Sequence, residues 1–198
     1  MPLNESWGVR QIYTDNRQQA VGRMLYHLTK AADGTRLCSS NDGWEQVTTD
    51  ICALHDYADA KDIIAAHFAE RATVEEHACD WRPCYAEGEK PTGEEAFMVT
   101  EYGGIAFTNI GIQGEMGGMQ TWGYHGKVTD EEAFFARFKG VTDGVREIPY
   151  CQGYCYTQLT DVMQEINGLL TPERKPKMDV ERVRRINQAA PGRTNQLI

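Results

Sequence analysis

One short stretch constrains the fold of this 198-residue chain more than any other, an apolar run that ends in a carboxylate and two glycines. Residues 96–99 are apolar, Glu101 follows after one threonine, and two glycines come directly after Tyr102. The apolar run predicts a strand buried on both faces, and the glycines predict a sharp exit from it. Glu101 would then lie at the carboxyl end of a buried strand, where α/β proteins place their chemistry. Glu5 has a similar setting after a short apolar segment.

Strand-like and helix-like segments alternate along the chain, and polar residues gather after each strand-like segment. Strands are predicted at residues 1–7, 36–40, 50–54, 96–101 and 153–159, and helices at residues 14–32, 59–70, from 130 and from 179. This alternation predicts an α/β fold with a parallel sheet. Residues 73–95 are predicted to form a surface excursion, and the glycine-rich residues 105–128 a long loop. No G-x-G-x-x-G motif follows the first strand, so dinucleotide binding has no support.

Helical periodicity assigns an inward face to each predicted helix. For the first helix this face consists of Ala20, Val21, Met24, Leu25, Leu28 and Ala31. For the second helix it consists of Ile63, Ile64, His67 and Phe68. For the helix that begins near residue 130 it consists of Phe134, Phe135, Phe138, Val141 and Val145, and for the last helix of Val180, Val183 and Ile186.

The composition excludes two classes of partner. The net charge of -9 leaves no basic stripe to neutralise phosphates, which argues against nucleic acid. No apolar run is long enough to span a bilayer, so no membrane partner is expected. The location of the protein stays open, with the cytoplasm favoured.

The six cysteines give little support for a metal site. Three of them lie in apolar strand-like segments and are predicted to be buried free thiols: Cys38, Cys52 and Cys155. A zinc site would have to use His77, Cys79 and Cys84, and the lack of a C-x-x-C pair disfavours it. We therefore predict neither a metal nor a cofactor.

Polar and aromatic side chains collect at the predicted strand ends in the pattern of a carbohydrate site. They are Asn4, Glu5, Asn41, Asp42, Trp44, His55, Asp56, Tyr57, Glu101, Tyr156 and Gln158. Aromatic faces stack on sugar rings, and amides and carboxylates bind hydroxyls. Two glutamates at separate strand ends are what a glycosidase requires. A structural role for His55 and plain packing of Trp44 remain alternative interpretations.

Five segments recur in this order in one known family. They are Pro-Leu-Asn-Glu-Ser-Trp-Gly at residues 2–8, Ser-Asn-Asp-Gly-Trp at 40–44, His-Asp-Tyr at 55–57, Thr-Glu-Tyr-Gly-Gly at 100–104 and Gly-Tyr-Cys-Tyr-Thr-Gln-Leu-Thr-Asp at 153–161. The chain resembles the second half of the catalytic barrel of glycoside hydrolase family 2, the β-galactosidase and β-glucuronidase group. The resemblance runs from Pro2 to about Asn187. It implies a partial TIM (β/α)8 barrel, about strands 4 to 8 with their helices, in residues 1–190, followed by a polar tail in residues 191–198.

The resemblance also implies roles for individual residues. Glu5 matches the acid/base of the family and Glu101 its nucleophile, as required for a retaining double displacement. The substrate-binding residues that it implies are Asn4, Asp42, Trp44, His55, Tyr57 and Gln158, with Tyr57 also steadying the nucleophile. Repulsion between the two carboxyls is expected to raise the pKa of Glu5, which would keep it protonated while Glu101 is ionised.

We therefore expect a retaining exo-β-glycosidase that hydrolyses terminal β-glycosidic bonds, β-galactosides first and β-glucuronides or β-mannosides next. The alternative is a non-catalytic fragment that binds sugar or complements a missing half, because three barrel strands and the β-sandwich domains of the family have no match in the chain. A carbohydrate substrate is the expected partner. Self-association, or pairing with the missing amino-terminal half, would cover the open edges of the sheet.

Overall fold

A computed structural model describes residues 1–76, 82–108 and 120–189 of the chain, which form a mixed α/β structure. Its strands are β1 (Leu3–Asn4), β2 (Asn41–Asp42), β3 (Ile51–Asp56), β4 (Ala96–Gly103), β5 (Ala106–Phe107), β6 (Lys127–Val128) and β7 (Gly153–Thr157). Its helices are α1 (Asn16–Ala32), α2 (Lys61–His67), α3 (Arg71–Glu76), α4 (Glu131–Arg146) and α5 (Val180–Gln188). The predicted succession of strands and helices is therefore confirmed in outline.

The strands form three small sheets. β1 pairs with β2 in parallel, with Asn4 opposite Asp42. β5 pairs with β6, also in parallel. β3, β4 and β7 form a three-stranded sheet in that order. The parallel pairs agree with the predicted α/β class.

The chain divides into two compact units. The first contains Met1–Asp56, His67–Thr100 and Tyr150–Tyr154, and the second contains Tyr57–Ala66, Glu101–Pro149 and Cys155–Ile198. Both β4 and β7 pass from the first unit into the second, so their carboxyl ends belong to the second unit. The predicted limits of the catalytic portion, residues 1–190, stay a prediction.

In the first unit, α1 begins as predicted but faces the other way. Asp15 caps its start by accepting hydrogen bonds from the N–H groups of Arg17 and Gln18. The buried residues of α1 are Gln19 and Gly22, whereas the predicted inward residues Met24 and Leu28 are exposed. The prediction for this face is therefore wrong.

Gly22 and Gln19 explain why α1 packs on its polar side. A Cβ added at Gly22 would lie 2.9 Å from Val47 Cγ2 and 3.2 Å from Ile12 Cδ1, so only glycine lets the helix come this close. The Gln19 side-chain amide donates to the carbonyls of Tyr13 and Glu87 at 3.0 and 3.2 Å. These bonds satisfy the buried amide, which removes the cost of placing it inside.

In the second unit, α4 has the predicted inward face. Asp130 caps its start through a 2.8 Å hydrogen bond from the N–H of Ala133. All five predicted inward residues are buried: Phe134, Phe135, Phe138, Val141 and Val145. Phe138 also meets Tyr156 edge-on, with ring centroids 5.1 Å apart, so α4 packs against β7 within this unit.

Several local predictions differ from the structure. Residues 36–40 form no strand, because the N–H of Cys38 donates to the Asp50 side chain and that of Ser40 donates to Thr49 Oγ1. Ile63 of α2 is exposed while Ile64 is buried. Cys38 and Cys52 are buried free thiols as predicted, but Cys155 is exposed.

Other predictions concern residues outside the described part of the chain or are only partly met. The metal candidates His77 and Cys79 and the polar tail from residue 191 lie outside the described residues. α5 follows the predicted cap Asp179, but none of its residues is buried. Across residues 1–76, 82–108 and 120–189, no helix has the length and apolar character needed to cross a membrane.

Candidate active site

Glu5 follows β1 in a left-handed turn of the first unit. Its φ is 50° and that of Ser6 is 57°, values that non-glycine residues adopt at a cost of about 1–3 kcal/mol each. The N–H of Glu5 donates to the carbonyl of Asp42 at 2.9 Å, and the N–H of Ser6 donates to Asn41 Oδ1 at 3.0 Å. These bonds hold the turn, so the direction of the Glu5 side chain is set by β2.

A buried polar network supports this turn. The Asn41 amide donates to Ser6 Oγ at 2.9 Å and to the carbonyl of Trp44 at 2.7 Å. Ser6 Oγ donates in turn to Glu45 Oε2 at 2.5 Å, and Arg82 lies 3.1 Å from Glu45. The sequence predicted Asn41 only as one of several polar residues at strand ends. In the structure its buried side chain holds the turn at Glu5 and Ser6 through hydrogen bonds.

His55, at the end of β3, lies between two carboxylates of the first unit. Its Nδ1 is 3.2 Å from Glu5 Oε1, and its Nε2 is 3.5 Å from Asp42 Oδ2. Thr100 Oγ1 donates to the other oxygen of Asp42 at 2.7 Å. The His55 side chain is 1% exposed, and the Trp44 ring meets it edge-on at 5.3 Å. Four side chains thus form a continuous row that ends at Glu5.

The electrostatics of Glu5 differ from the expectation. The hydrogen bond to His55 is the largest influence and lowers the pKa of the Glu5 carboxyl, followed by burial, which raises it, and by the charge of His55, which lowers it. The indole N–H of Trp7, 3.3 Å away, also lowers this pKa, and Asp42 raises it. The net direction is downward, so the expected raised pKa of Glu5 is wrong: the partner that dominates is a histidine and not a second carboxylate.

Glu101, on β4, is held by two hydroxyls of the second unit. Tyr57 donates to Glu101 Oε2 at 2.5 Å, and Thr157 Oγ1 donates to the same oxygen at 3.2 Å. The Tyr57 ring stacks on Tyr124, with centroids 3.7 Å apart and an interplanar angle of 3°. Burial, followed by the charge of Glu101, strongly raises the pKa of Tyr57, which therefore remains a neutral donor.

The structure divides the predicted site residues between the two units. Asn4, Glu5, Asp42, Trp44 and His55 belong to the first, and Tyr57, Glu101 and Gln158 belong to the second. Within the first unit Glu5, Asp42, His55 and Trp44 come together, as described above.

Gln158 differs from the other predicted site residues of the second unit, because its contact is with the following loop. Its amide donates to Asn167 Oδ1 at 2.8 Å, and Asn167 is fully buried. Two residues near Glu101 were not predicted from the sequence, Thr157 and Tyr124. The only sequence feature that could have indicated Thr157 is its position before Gln158, and for Tyr124 it is the glycine-rich segment around it.

Comparisons with known proteins show the fold to which these clusters belong. No family model matches the sequence, and no curated protein matches it. Among solved structures, Bifidobacterium dentium β-glucuronidase in complex with coumarin-3-O-glucuronide is 19% identical, with a TM-score of 0.56 over 88% of this chain. A GH2 β-galacturonidase from Eisenbergiella tayi, bound to galacturonate, is 17% identical with a TM-score of 0.60 over 89% of this chain. Faecalibacterium prausnitzii β-glucuronidase is 15% identical with a TM-score of 0.56 over 89%.

The likeness covers only part of each of those proteins. This chain spans 28% of the Bifidobacterium enzyme, 31% of the Eisenbergiella enzyme and 30% of the Faecalibacterium enzyme. At these identities the comparison speaks for the fold alone. The chain therefore shares its fold with a portion of glycoside hydrolases.

Proposed function

We propose that this chain is a portion of a family 2 glycoside hydrolase, a partial (β/α)8 barrel comprising about strands 4 to 8, and that it carries the two catalytic carboxyls of a retaining exo-β-glycosidase. Glu101 is the nucleophile and Glu5 the acid/base. The observation that carries the proposal is the double hydrogen bond from Tyr57 and Thr157 to one oxygen of Glu101. Two neutral donors on one carboxylate oxygen fix its orientation, which a nucleophile requires.

The reaction proceeds in two displacements. Glu101 attacks the anomeric carbon while Glu5 gives its proton to the leaving oxygen, so the glycosidic bond breaks as a glycosyl ester forms. Glu5 then takes a proton from water, the resulting nucleophile attacks the anomeric carbon, and Glu101 leaves as a carboxylate. The configuration at the anomeric carbon is retained because it is inverted twice.

The charge distribution favours neutral sugars over uronic acids as substrates. A uronate carboxylate requires a cation to bind it, and the buried cations among the described residues of the second unit, Arg146 and Lys177, already have partners within the protein. Lys177 lies 2.8 Å from Asp161 and donates to the carbonyl of Ile166 at 2.8 Å. Arg146 lies 2.8 Å from Asp143. We therefore place β-galactosides first, with β-mannosides and β-glucuronides as the next candidates.

A mechanism-based inhibitor tests the proposal directly. A 2-deoxy-2-fluoro-β-galactosyl donor with an activated leaving group should attach to Glu101 and stay there, because the fluorine slows the second displacement. Peptide mapping by mass spectrometry should find one sugar on the peptide that contains Glu101. The variant Glu101→Gln should take up none and should lose activity by about 10⁴-fold or more. Labelling of another carboxyl, or of none in a preparation that hydrolyses aryl glycosides, would overturn the assignment.

The second candidate is a non-catalytic fragment that complements a missing half. It is favoured by the span of the likeness, which covers 28% to 31% of the enzymes of similar fold. Co-expression with the amino-terminal half of a family 2 enzyme separates the two candidates. Activity that appears only on co-expression, together with fluorosugar labelling of Glu101 only then, supports complementation. Full activity of the purified chain alone excludes it.

A further inference from the structure

His55 is enclosed by residues of the first unit. Its ring is 1% exposed and packs edge-on against Trp44. Gly43, at a φ of 100°, borders the ring so closely that an added Cβ would lie 2.9 Å from Cε1, 3.0 Å from Nδ1 and 3.1 Å from Nε2. The glycine therefore serves two needs, a left-handed backbone and space for the imidazole.

The two ring nitrogens of His55 are directed at carboxylates, and one of these is Glu5. Nδ1 lies 3.2 Å from Glu5 Oε1, and Nε2 lies 3.5 Å from Asp42 Oδ2. Asp42, 5% exposed, is itself fixed by the hydroxyl of Thr100 at 2.7 Å. Nδ1 lies at hydrogen-bond distance from Glu5, whereas Nε2 lies at ion-pair distance from Asp42. Asp42 therefore acts on the ring through its charge, from the side opposite Glu5.

We propose that His55 is a positioning residue for Glu5, which orients the carboxyl through Oε1 and stabilises the anion that remains once the proton has gone to the leaving group. The proposal rests on the acid/base role of Glu5. It assigns His55 a contact with Glu5 in place of the sugar contact expected from the sequence. The contact with His55 keeps Glu5 in the ionised form, which is the form that takes a proton from water in the second displacement.

The other groups of the first unit that surround Glu5 and His55 shift the pKa of Glu5 in opposite directions. Asp42 opposes ionisation of Glu5 by its charge, and the indole N–H of Trp7 favours it. Arg10 lies over the Trp7 ring at 4.4 Å, and Arg82 lies over the Trp44 ring at 4.9 Å. The hydrogen bond to His55 is the largest influence on the pKa of Glu5, and the net direction of that pKa is downward.

A carboxyl titration by ¹³C NMR tests this without requiring catalysis. In protein labelled with ¹³C-glutamate, the Glu5 signal is identified by its loss in Glu5→Gln. In His55→Phe, which keeps the ring but removes both nitrogens, Glu5 should titrate about 1 pH unit higher than in the wild type. His55→Gln returns one amide donor and should give an intermediate value. His67→Gln removes a different histidine–carboxylate pair, that with Asp56 at 2.7 Å, and should leave the Glu5 titration unchanged.

The wild type offers a measurement that no folding defect can disturb. The ¹⁵N signals of the His55 ring should shift over the same pH interval in which the Glu5 carboxyl titrates. An identical Glu5 midpoint in the wild type and in a folded His55→Phe, or a His55 ring that does not respond to Glu5, would overturn the proposal. Both readouts hold whether or not the chain hydrolyses glycosides, so they are independent of the proposed function.

The pH dependence of kcat/KM tests whether the contact between His55 and Glu5 affects the reaction. In an active preparation the alkaline limb of kcat/KM reports the acid form of Glu5. That limb should move to higher pH in His55→Phe by the interval found by NMR, and should stay in place in His67→Gln. A lower rate with no change of pH profile would show a purely structural role and would contradict the proposal.

Discussion

Tyr57 serves two purposes that a substitution can separate. Its ring stacks on Tyr124 with centroids 3.7 Å apart, and its hydroxyl donates to Glu101 at 2.5 Å. The ring contributes apolar burial and the hydroxyl contributes a charge-assisted hydrogen bond. Replacing the tyrosine by phenylalanine removes only the second contribution.

Tyr57→Phe is therefore expected to reduce activity more than stability. A hydrogen bond to a charged group contributes about 1.5–3 kcal/mol, which corresponds to about a 10- to 160-fold loss in kcat/KM. The measurement is kcat/KM on an aryl β-glycoside, together with urea denaturation.

Tyr102→Phe is the matched control for that prediction. Tyr102 is also buried in the second unit, and its hydroxyl is hydrogen-bonded to another hydroxyl, Thr142 Oγ1, at 3.0 Å. We expect this variant to lose about 1 kcal/mol of stability and to keep kcat/KM within about twofold of the wild type. Equal kinetic losses in both variants would show that any tyrosine hydroxyl of the unit matters equally, contrary to the proposed role of Tyr57.

The exit of β4 depends on a glycine. Gly103 has a φ of 90°, and an added Cβ would lie 2.7 Å from Tyr156 Cδ2 and even closer to Cε2. Gly103→Ala is therefore expected to lower the free energy of unfolding by at least about 1–3 kcal/mol, from backbone strain together with the clash. Gly140→Ala in α4 is the control, because no atom lies within 4 Å of its added Cβ, and it should stabilise the helix by about 0.5–1 kcal/mol. A Gly103→Ala variant as stable as Gly140→Ala in urea denaturation would contradict this account.

The attachment of α1 to the following loop rests on Asp50. Its carboxylate accepts hydrogen bonds from the Tyr26 hydroxyl at 2.7 Å, the Lys30 ammonium at 2.9 Å and the N–H of Cys38 at 2.8 Å. Burial raises the pKa of Asp50, but these three donors outweigh burial and the net direction is downward. Because the folded protein prefers the ionised form, the stabilisation is fully present above the unfolded pKa of about 4 and is lost as the pH falls below it.

Asp50→Asn should accordingly remove part of the acid sensitivity of the protein. We expect a loss of about 1–3 kcal/mol at neutral pH, shrinking as the pH falls from about 4 toward the folded pKa. Glu94→Gln, at an exposed position, should change stability by less than about 0.5 kcal/mol throughout. Urea denaturation at several pH values measures this, and parallel curves for Asp50→Asn and the wild type would refute it.

The elements show how far the sequence predicts this structure. Periodicity identified α1 and α4 equally well, and the phenylalanines of α4 left only one face to bury. In α1 the apolar stripe pointed to the wrong face, because close approach at Gly22 and the two hydrogen bonds of Gln19 decide the packing. Neither effect has a periodic signature. Tertiary contacts therefore override local pattern where a small residue permits them.

The candidate site shows the same limit. In the sequence, Glu5, Asp42 and His55 are separate residues at predicted strand ends. The position of His55 between the two carboxylates has no sequence pattern, because it depends on the space left by Gly43 and on the left-handed turn at Glu5. Strand ends therefore select the residues of a site, and the loops after them decide which residues touch.

The whole molecule carries an apolar surface that its own described residues leave open. On α1, Val21 is 39% exposed, Met24 57% and Leu28 62%, at spacings that place them on one face. Leu37, shortly after this helix, is 64% exposed. Adjacent exposed apolar residues favour association, and self-association of the chain stays a prediction.

Placing charged side chains on this apolar face of α1 is expected to reduce association of the purified chain. Met24→Lys combined with Leu28→Glu leaves the net charge of -9 unchanged and removes two exposed apolar side chains, so folding stability should change by less than about 0.5 kcal/mol. Sedimentation velocity over a range of concentrations should show a larger monomer fraction than in the wild type. Val180→Glu on α5, where a valine is 47% exposed, is the control for apolar exposure elsewhere and should leave the monomer fraction as it is in the wild type. If the double variant and the wild type associate alike, the face of α1 is not the surface through which copies of this chain meet.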